Sequence, residues 1–229
     1  MSHLKDVLTS SAMTFVRGAV GHRAVTHSDT PAKMLVLYEF EACPFCRRVR
    51  EALSALDLEA IIVPCPKGSQ NREAVIAQGG KAQFPFLVDP NTNISMYESG
   101  DICEYLEKTY AHGAEPWQHR VTDAYGLSGS ATVALRPDRG RMARGKNRPE
   151  HMLELWSYEA SPHSRLVREV LCELELPYVL HNVPRHSARR QAFVKISGKM
   201  QVPYLKDPNT GVALFESQAI NAYLEKTYG

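Results

Sequence analysis

Two cysteines separated by two residues, Cys43-Pro44-Phe45-Cys46, are the residues of this chain best placed to do chemistry. They follow the apolar run Leu35–Phe40 and precede Val49, Leu53 and Leu56 at helical spacing, so a strand delivers them to the first turn of a helix. Pro44 suits that turn, where its missing N–H would have had no partner. The free amides and the positive end of the helix favour an anion at Cys43, and Arg47 and Arg48 add positive charge about one turn away. A thiol in this setting loses its proton more easily than a free cysteine, and the thiolate is the reactive form. Cys46 lies close enough to attack a mixed disulfide formed at Cys43.

Two other uses of such a pair compete. Structural zinc takes a second Cys-x-x-Cys or a Cys/His pair, and Cys65, Cys103 and Cys172 supply neither, so no metal is expected. A structural disulfide suits an oxidising compartment, and five cysteines do not form a secreted framework. Cys65 is expected half-buried at a strand end, and Cys103 and Cys172 are expected inside helices as small core residues.

The composition of the 229 residues excludes several functions. A net charge of +2 gives no general argument for nucleic acid or a membrane surface. No apolar run approaches the ~18 residues of a membrane span. Residues 1–34 carry Arg17, His22 and Arg23 with few acids, in part the composition of a transit peptide, but lack a secretory apolar core. An ordered N-terminal extension on a cytoplasmic protein is the expectation.

The two cysteines belong to a unit that occurs twice. At an offset of 118, Leu35–Tyr110 aligns with Leu153–Tyr228 without a gap, and 34 of the 76 positions are identical. Asp89-Pro-Asn-Thr92 recurs as Asp207-Pro-Asn-Thr210, Glu98-Ser99 as Glu216-Ser217, and the run Tyr105–Tyr110 as Tyr223–Tyr228. A weaker echo precedes each unit: Ala12, Arg17, Gly21 and Ala24 match Ala131, Arg136, Gly140 and Ala143 at an offset of 119.

In each unit the patterns predict strand (35–40), helix (44–57), strand (60–64), helix (near 70–78), two short strands around the Asp-Pro-Asn-Thr turn, and a helix from Ser99 with Ile102, Tyr105 and Leu106 on one face. This is an α/β fold, βαβ then α then ββα, with helices on both faces of a mixed sheet. The domains follow: an extension over 1–34, a first domain over 35–112, a basic linker over 113–151 and a second domain over 152–229. Arg136, Arg139, Arg141, Arg144, Lys146 and Arg148 are expected to be solvated there.

The Cys-Pro-Phe-Cys motif on this element order resembles glutaredoxin, a thioredoxin-like fold. The resemblance covers each unit, so the chain reads as two tandem thioredoxin-like domains. It implies cis peptide bonds before Pro85 and Pro203, in Gln83-Phe84-Pro85 and Gln201-Val202-Pro203. The Glu98-Ser99 and Glu216-Ser217 pairs resemble the glutathione-binding motif of glutathione S-transferase N-terminal domains. The resemblance implies that Ser99 and Ser217 cap a helix and hold the γ-glutamyl carboxylate, while backbone at Phe84-Pro85 and Val202-Pro203 pairs with the cysteinyl part.

The second unit departs from the pattern, with Ser161-Pro162-His163-Ser164 in place of the cysteines, and it stands where a typical transferase carries an all-helical domain. Ser161 is left either to donate a hydrogen bond to a bound glutathione thiolate or to pack, with His163 a conceivable base. The expectation is a glutathione-dependent thiol–disulfide oxidoreductase with Cys43 as nucleophile and Cys46 or a second glutathione resolving. Its partners would be glutathione as co-substrate and disulfide-containing proteins or small molecules, with no nucleic acid and no membrane. The two units could pack as an internal pseudo-dimer. The alternatives are a non-catalytic glutathione-binding or iron–sulfur scaffold, or a transferase acting on small electrophiles.

Overall fold

The computed structural model describes residues 3–16, 18–24, 28–111, 136 and 138–229; most of the expected linker and the echo at Ala131 lie outside them. Helix α1 (His3–Val16) leads into β1 (Leu35–Glu39), α2 (Pro44–Ala55), β2 (Ala60–Pro64), α3 (Arg72–Gly79), β3 (Phe86–Asp89), β4 (Ile94–Met96) and α4 (Ser99–Tyr110). The second repeat follows as β5 (Leu153–Ser157), α5 (Pro162–Glu173), β6 (Tyr178–Asn182), α6 (Arg190–Ser197), β7 (Tyr204–Asp207), β8 (Val212–Phe215) and α7 (Ser217–Tyr228). The fold is two tandem thioredoxin-like domains.

Parallel pairing of β1 with β2 needs a crossover, which α2 provides, and β3 then returns antiparallel beside β1. Strand β1 is buried on both faces, which is why its sequence is a continuous apolar run rather than an alternation. Leu37 packs with Val49, Leu53, Ile102 and Leu106 under α2 and α4. Tyr38 and Phe86 pack with Val75 under α3 on the other face.

The two sheets are one. Strands β2 and β6 pair antiparallel through Ala60↔Leu180, Ile61↔Val179 and Ile62↔Tyr178, giving an eight-stranded sheet in the order β4-β3-β1-β2-β6-β5-β7-β8. Each repeat thereby covers an edge that would otherwise present unpaired backbone. The apolar core beneath the helices is continuous across both repeats, an internal pseudo-dimer.

The recurring turn and C-terminal run explain each other. Asp89 is fully buried and accepts from the Asn91 amide at 2.8 Å, from the Tyr105 hydroxyl at 2.6 Å and from the Tyr110 hydroxyl. Asp207 does the same with Asn209 (2.8 Å), Tyr223 (2.5 Å) and Tyr228 (2.6 Å). Burial opposes ionisation, but these donors outweigh it and hold both carboxyls below the usual range.

The lead-in segments cross over. Residues 22–24 of the first bond to Arg185 of the second repeat, while residues 141–143 bond to Lys67 of the first. Helix α1 lies on the start of α5, where Ser10 Oγ donates to the Pro162 carbonyl at 2.8 Å and Thr14 Oγ1 to that of Ala160 at 3.2 Å.

The expectation of solvated basic residues over 136–148 is corrected at Arg136. Arg136 is buried and donates to Glu169 at 2.6 and 2.7 Å, Arg144 pairs with Glu173 and Glu225, and Arg139 faces Glu173 at 3.9 Å. Glu169 draws Arg136 in, Arg139 is half-buried, and Arg141, Arg144, Lys146 and Arg148 stay exposed.

Candidate functional site

Cys43 is the N-cap of α2, with extended backbone (φ −81°, ψ 120°) and Pro44 following at the helix start. Its Sγ accepts from the Cys46 backbone N–H at 3.3 Å. No disulfide joins the pair, and all five cysteines are free and buried. The Cys46 thiol, chiefly, with the Cys46 and Phe45 amides and the Arg50 charge, draws the Cys43 thiol below its ordinary value against the opposing effect of burial. Burial and the Cys43 sulfur push the Cys46 thiol well up. Two thiols of one motif are thus set apart, an acidic one at the helix end and one that holds its proton behind it.

Cross-strand pairing of Tyr38 with Phe86 brings the end of β1 beside the start of β3. The Phe84–Pro85 bond is cis there, and the Phe84 ring meets Phe40 edge-on at 6.0 Å, three residues before Cys43. Gln83 Nε2 donates to Glu98 Oε1 at 2.5 Å, tying this loop to the start of α4. Glu98 sits in the left-handed region at φ 68°, an unfavourable place for a non-glycine residue. The second repeat copies this except for the ring contact, which Val202 cannot make: Val202–Pro203 is cis, Gln201 bonds Glu216, and Glu216 has φ 67°.

The structure corrects the capping role given to the serines. Glu98 and Glu216 occupy the N-cap positions without a side-chain cap bond, and Ser99 and Ser217 are the first helical residues, buried at 6% and 2% exposure. The left-handed turn at each Glu shifts the helix start by one residue and leaves the serine N–H at its open end.

Ser161 repeats the geometry of Cys43 with oxygen. It caps α5, accepts from the Ser164 amide at 3.2 Å and from the Ser164 hydroxyl at 2.9 Å, and is buried. His163 is exposed, while Ser164 already occupies the Ser161 oxygen, so the geometry offers no Ser–His pair.

Sequence reading missed the charged residues around Cys43. Arg47, expected to act on the thiol, pairs instead with Glu51 at 3.1 Å and Glu159 at 3.6 Å. Arg50 reaches Glu39, Glu41 (3.1 Å) and Glu159 (3.0 Å). From the second repeat, Arg168 reaches Glu41 (3.1 Å) and Glu159 (2.9 Å). All of these side chains are buried at the junction of the repeats. The available signal was repetition: Glu41, Arg47, Arg50 and Glu51 each recur at the offset of 118.

The remaining thiols are inert. Cys65 is fully buried rather than half-buried because Cys65 N–H bonds to the Glu39 carbonyl beneath the turn, and burial pushes its thiol up to about 12. Burial does the same to Cys103, and Cys172 accepts from the Glu41 amide at 3.3 Å.

A model of the glutathione S-transferase N-terminal domain matches residues 37–116 and 155–229, once over each repeat. The chain belongs to this family. Among curated members, this glutathione S-transferase-like chain is 34% identical over 70 residues to the glutathione S-transferase-like protein tpcF of Aspergillus fumigatus, 31% of each chain. It is 30% identical over 76 residues to the glutathione S-transferase-like protein OpS6 of Beauveria bassiana, 33% of this chain and 35% of that one. The chain spans about a third of the length of these relatives. A solved trimeric glutathione transferase of Leishmania is 14% identical with a TM-score of 0.31, over 86% of this chain and 68% of that one, too distant to inform the fold. Among the described residues no helix is long and apolar enough to cross a membrane, and no cluster of three His, Cys, Asp or Glu could hold a metal ion.

Proposed function

We propose that the protein is a glutathione-dependent thiol–disulfide oxidoreductase. The observation that carries this reading is the asymmetry of Cys43 and Cys46 across a 3.3 Å cap bond: one thiol made acidic, its neighbour kept protonated. The Cys43 thiolate attacks a sulfur of a substrate disulfide; an S–S bond forms at Cys43 as the substrate S–S bond breaks, and the other substrate sulfur leaves as a thiolate. Cys46, or a glutathione thiolate, then attacks the Cys43 sulfur and releases the bound half. Two glutathione molecules restore the thiols and leave as glutathione disulfide. The backbone at Phe84-Pro85 would pair with the cysteinyl part of glutathione, and the Ser99 N–H and hydroxyl at the α4 terminus would hold its γ-glutamyl carboxylate, with Glu98 beside them. Val202, Pro203, Glu216 and Ser217 would offer the same cradle in the second repeat, where Ser161 cannot exchange a disulfide.

A second reading, glutathione binding without turnover, is favoured by the 5% exposure of Cys43, since a closed thiol must be uncovered before it reacts. A glutathione-coupled disulfide reduction assay separates the two. Wild type should reduce a mixed disulfide, Cys43→Ser should lose activity, and Cys46→Ser should retain reduction of glutathione mixed disulfides. Wild type that binds glutathione and reduces nothing would leave only the second reading.

A further inference from the structure

The cleft over Cys43 is built by both repeats. Glu41, Ala42, Cys43, Pro44 and Arg47 come from the first repeat, Arg165 and Glu169 from the second, and Met13, Arg136 and Arg139 complete the wall. Its space amounts to about 20 Å³, room for one water-sized atom such as a single carboxylate oxygen. The two acids on its wall are already engaged: Glu41 by Arg168 and Arg50, Glu169 by Arg136. Of the four arginines on the wall, Arg136 is spent on Glu169 and Asp6 and Arg139 lies toward Glu173, whereas Arg47 and Arg165 keep donors without partners. Among the described residues, Arg47 Nη1 and Arg165 Nε and Nη2 are buried donors without a hydrogen bond, on side chains of 3% and 1% exposure. Arg47 uses its other nitrogens on Glu51 and on the Met13 carbonyl. The nearest acids to Arg165 stand at 3.7 and 3.8 Å, beyond hydrogen-bond reach. Burial, then the facing Arg47 charge, pulls the Arg165 guanidinium down to about 10, the mark of a cation short of counter-charge. Buried guanidinium donors without partners cost free energy that a forked anion acceptor would recover.

We propose that Arg47 of the first repeat and Arg165 of the second form a carboxylate-binding subsite beside Cys43, so that the second substrate is a small molecule carrying a carboxylate close to the atom that Cys43 attacks. This rests on the reading of Cys43 as the nucleophile. It also gives the thiol-free repeat a part in the reaction, as half of the substrate pocket.

The test compares two alkylating agents of nearly equal size, iodoacetate and iodoacetamide, on the full chain. In both, the Cys43 thiolate displaces iodide as a C–S bond forms and the C–I bond breaks, so the ratio of rates reports the carboxylate alone. Relative to the same ratio for free glutathione, wild type should favour iodoacetate by about tenfold, the worth of one charged hydrogen bond. Arg47→Met and Arg165→Met should return the ratio to that of glutathione, while Arg141→Gln, exposed and outside the cleft, should change it little. Acetate should slow the reaction of iodoacetate with wild-type Cys43, a measurement that needs no variant to fold. A wild-type ratio equal to that of glutathione, an absence of acetate protection, or an equal fall in Arg141→Gln would overturn the subsite. Failure of both reagents at Cys43 would instead remove the nucleophile reading, and the subsite with it.

Discussion

Arg50 Nε donates to Glu159 Oε2 at 3.0 Å across the line where the two repeats meet, and both side chains are about 1% exposed. Its counterpart, Arg168 to Glu41 at 3.1 Å, runs the other way. Thus the polar faces of α2 and α5 turn toward each other and toward the loops ahead of Cys43 and Ser161, where a free domain would turn them to water.

Glu159→Gln therefore leaves buried arginines short of a partner. Loss of one member of a buried pair costs about 3–5 kcal/mol, and urea unfolding followed by circular dichroism should show that loss in a single transition for both repeats. An effect within ~0.5 kcal/mol would mean that the cluster adds nothing to the junction.

Glu39 and Glu159 should bend the pH dependence of stability in opposite senses. Burial raises Glu39 to about 7, despite Arg50. The unfolded chain releases that proton near ~4.3 and the folded one only near about 7, so stability falls as pH rises between them and levels off above. Glu159 is held at about 2, since Arg168, Arg50 and Arg165 overcome its burial. Its contribution is present above the unfolded value and lost as pH falls toward about 2. Glu39→Gln should abolish the fall between pH ~4.5 and 7 in melting experiments.

The Asp89 network should be worth about 1.5–3 kcal/mol per hydroxyl, because each donates to a buried carboxylate. Tyr110→Phe and Tyr228→Phe should cost similar amounts in chemical denaturation, given their equivalent bonds to Asp89 and Asp207. Both aspartates are depressed in the folded state, so their stabilisation holds above pH ~4 and is lost as pH falls through the folded value. Either variant should thus unfold at a higher pH on acid titration than wild type.

Gly140 and Gly21 occupy matching places in the two lead-ins with unequal room. A Cβ on Gly140 would lie 2.7 Å from the Glu41 Cβ, and one on Gly21 3.2 Å from the Glu159 Cβ; both glycines have positive φ. Each alanine substitution costs at least about 1 kcal/mol for the left-handed backbone. Gly140→Ala should cost more, read as the larger drop in melting temperature, and should also change Cys43 alkylation, because Glu41 stands two residues before that thiol.

The elements were legible where one face is apolar. Leu35, Leu37, Val49, Leu53 and Ile102 announce the strand and helices of the first repeat by period alone, and repetition announces the second. Cys43 at a helix start was legible as well, because strand, Cys-Pro and helix are adjacent in sequence. Arg47, Arg50 and Glu51 were not: three charges on one face of a helix read as a solvent face. Only the antiparallel pairing of β2 with β6 puts that face indoors, and no local pattern in Ala60–Pro64 marks that edge as taken. The one-residue shift at Ser99 escaped notice for a related reason, since a left-handed glutamate leaves no trace in composition.

The crossed lead-ins have a consequence for how such a gene can change. With residues 22–24 bonded to the second repeat and residues 141–143 to the first, neither half can be cut away with its own folding surface intact. Deleting the thiol-free half would open the edge of β2 and remove Glu159, the acid that Arg47 and Arg50 share across the junction, in a single event. A duplicate that has lost its paired cysteines is ordinarily free to decay; this one is locked in by its neighbour's charges, so mutations can reshape it but not discard it.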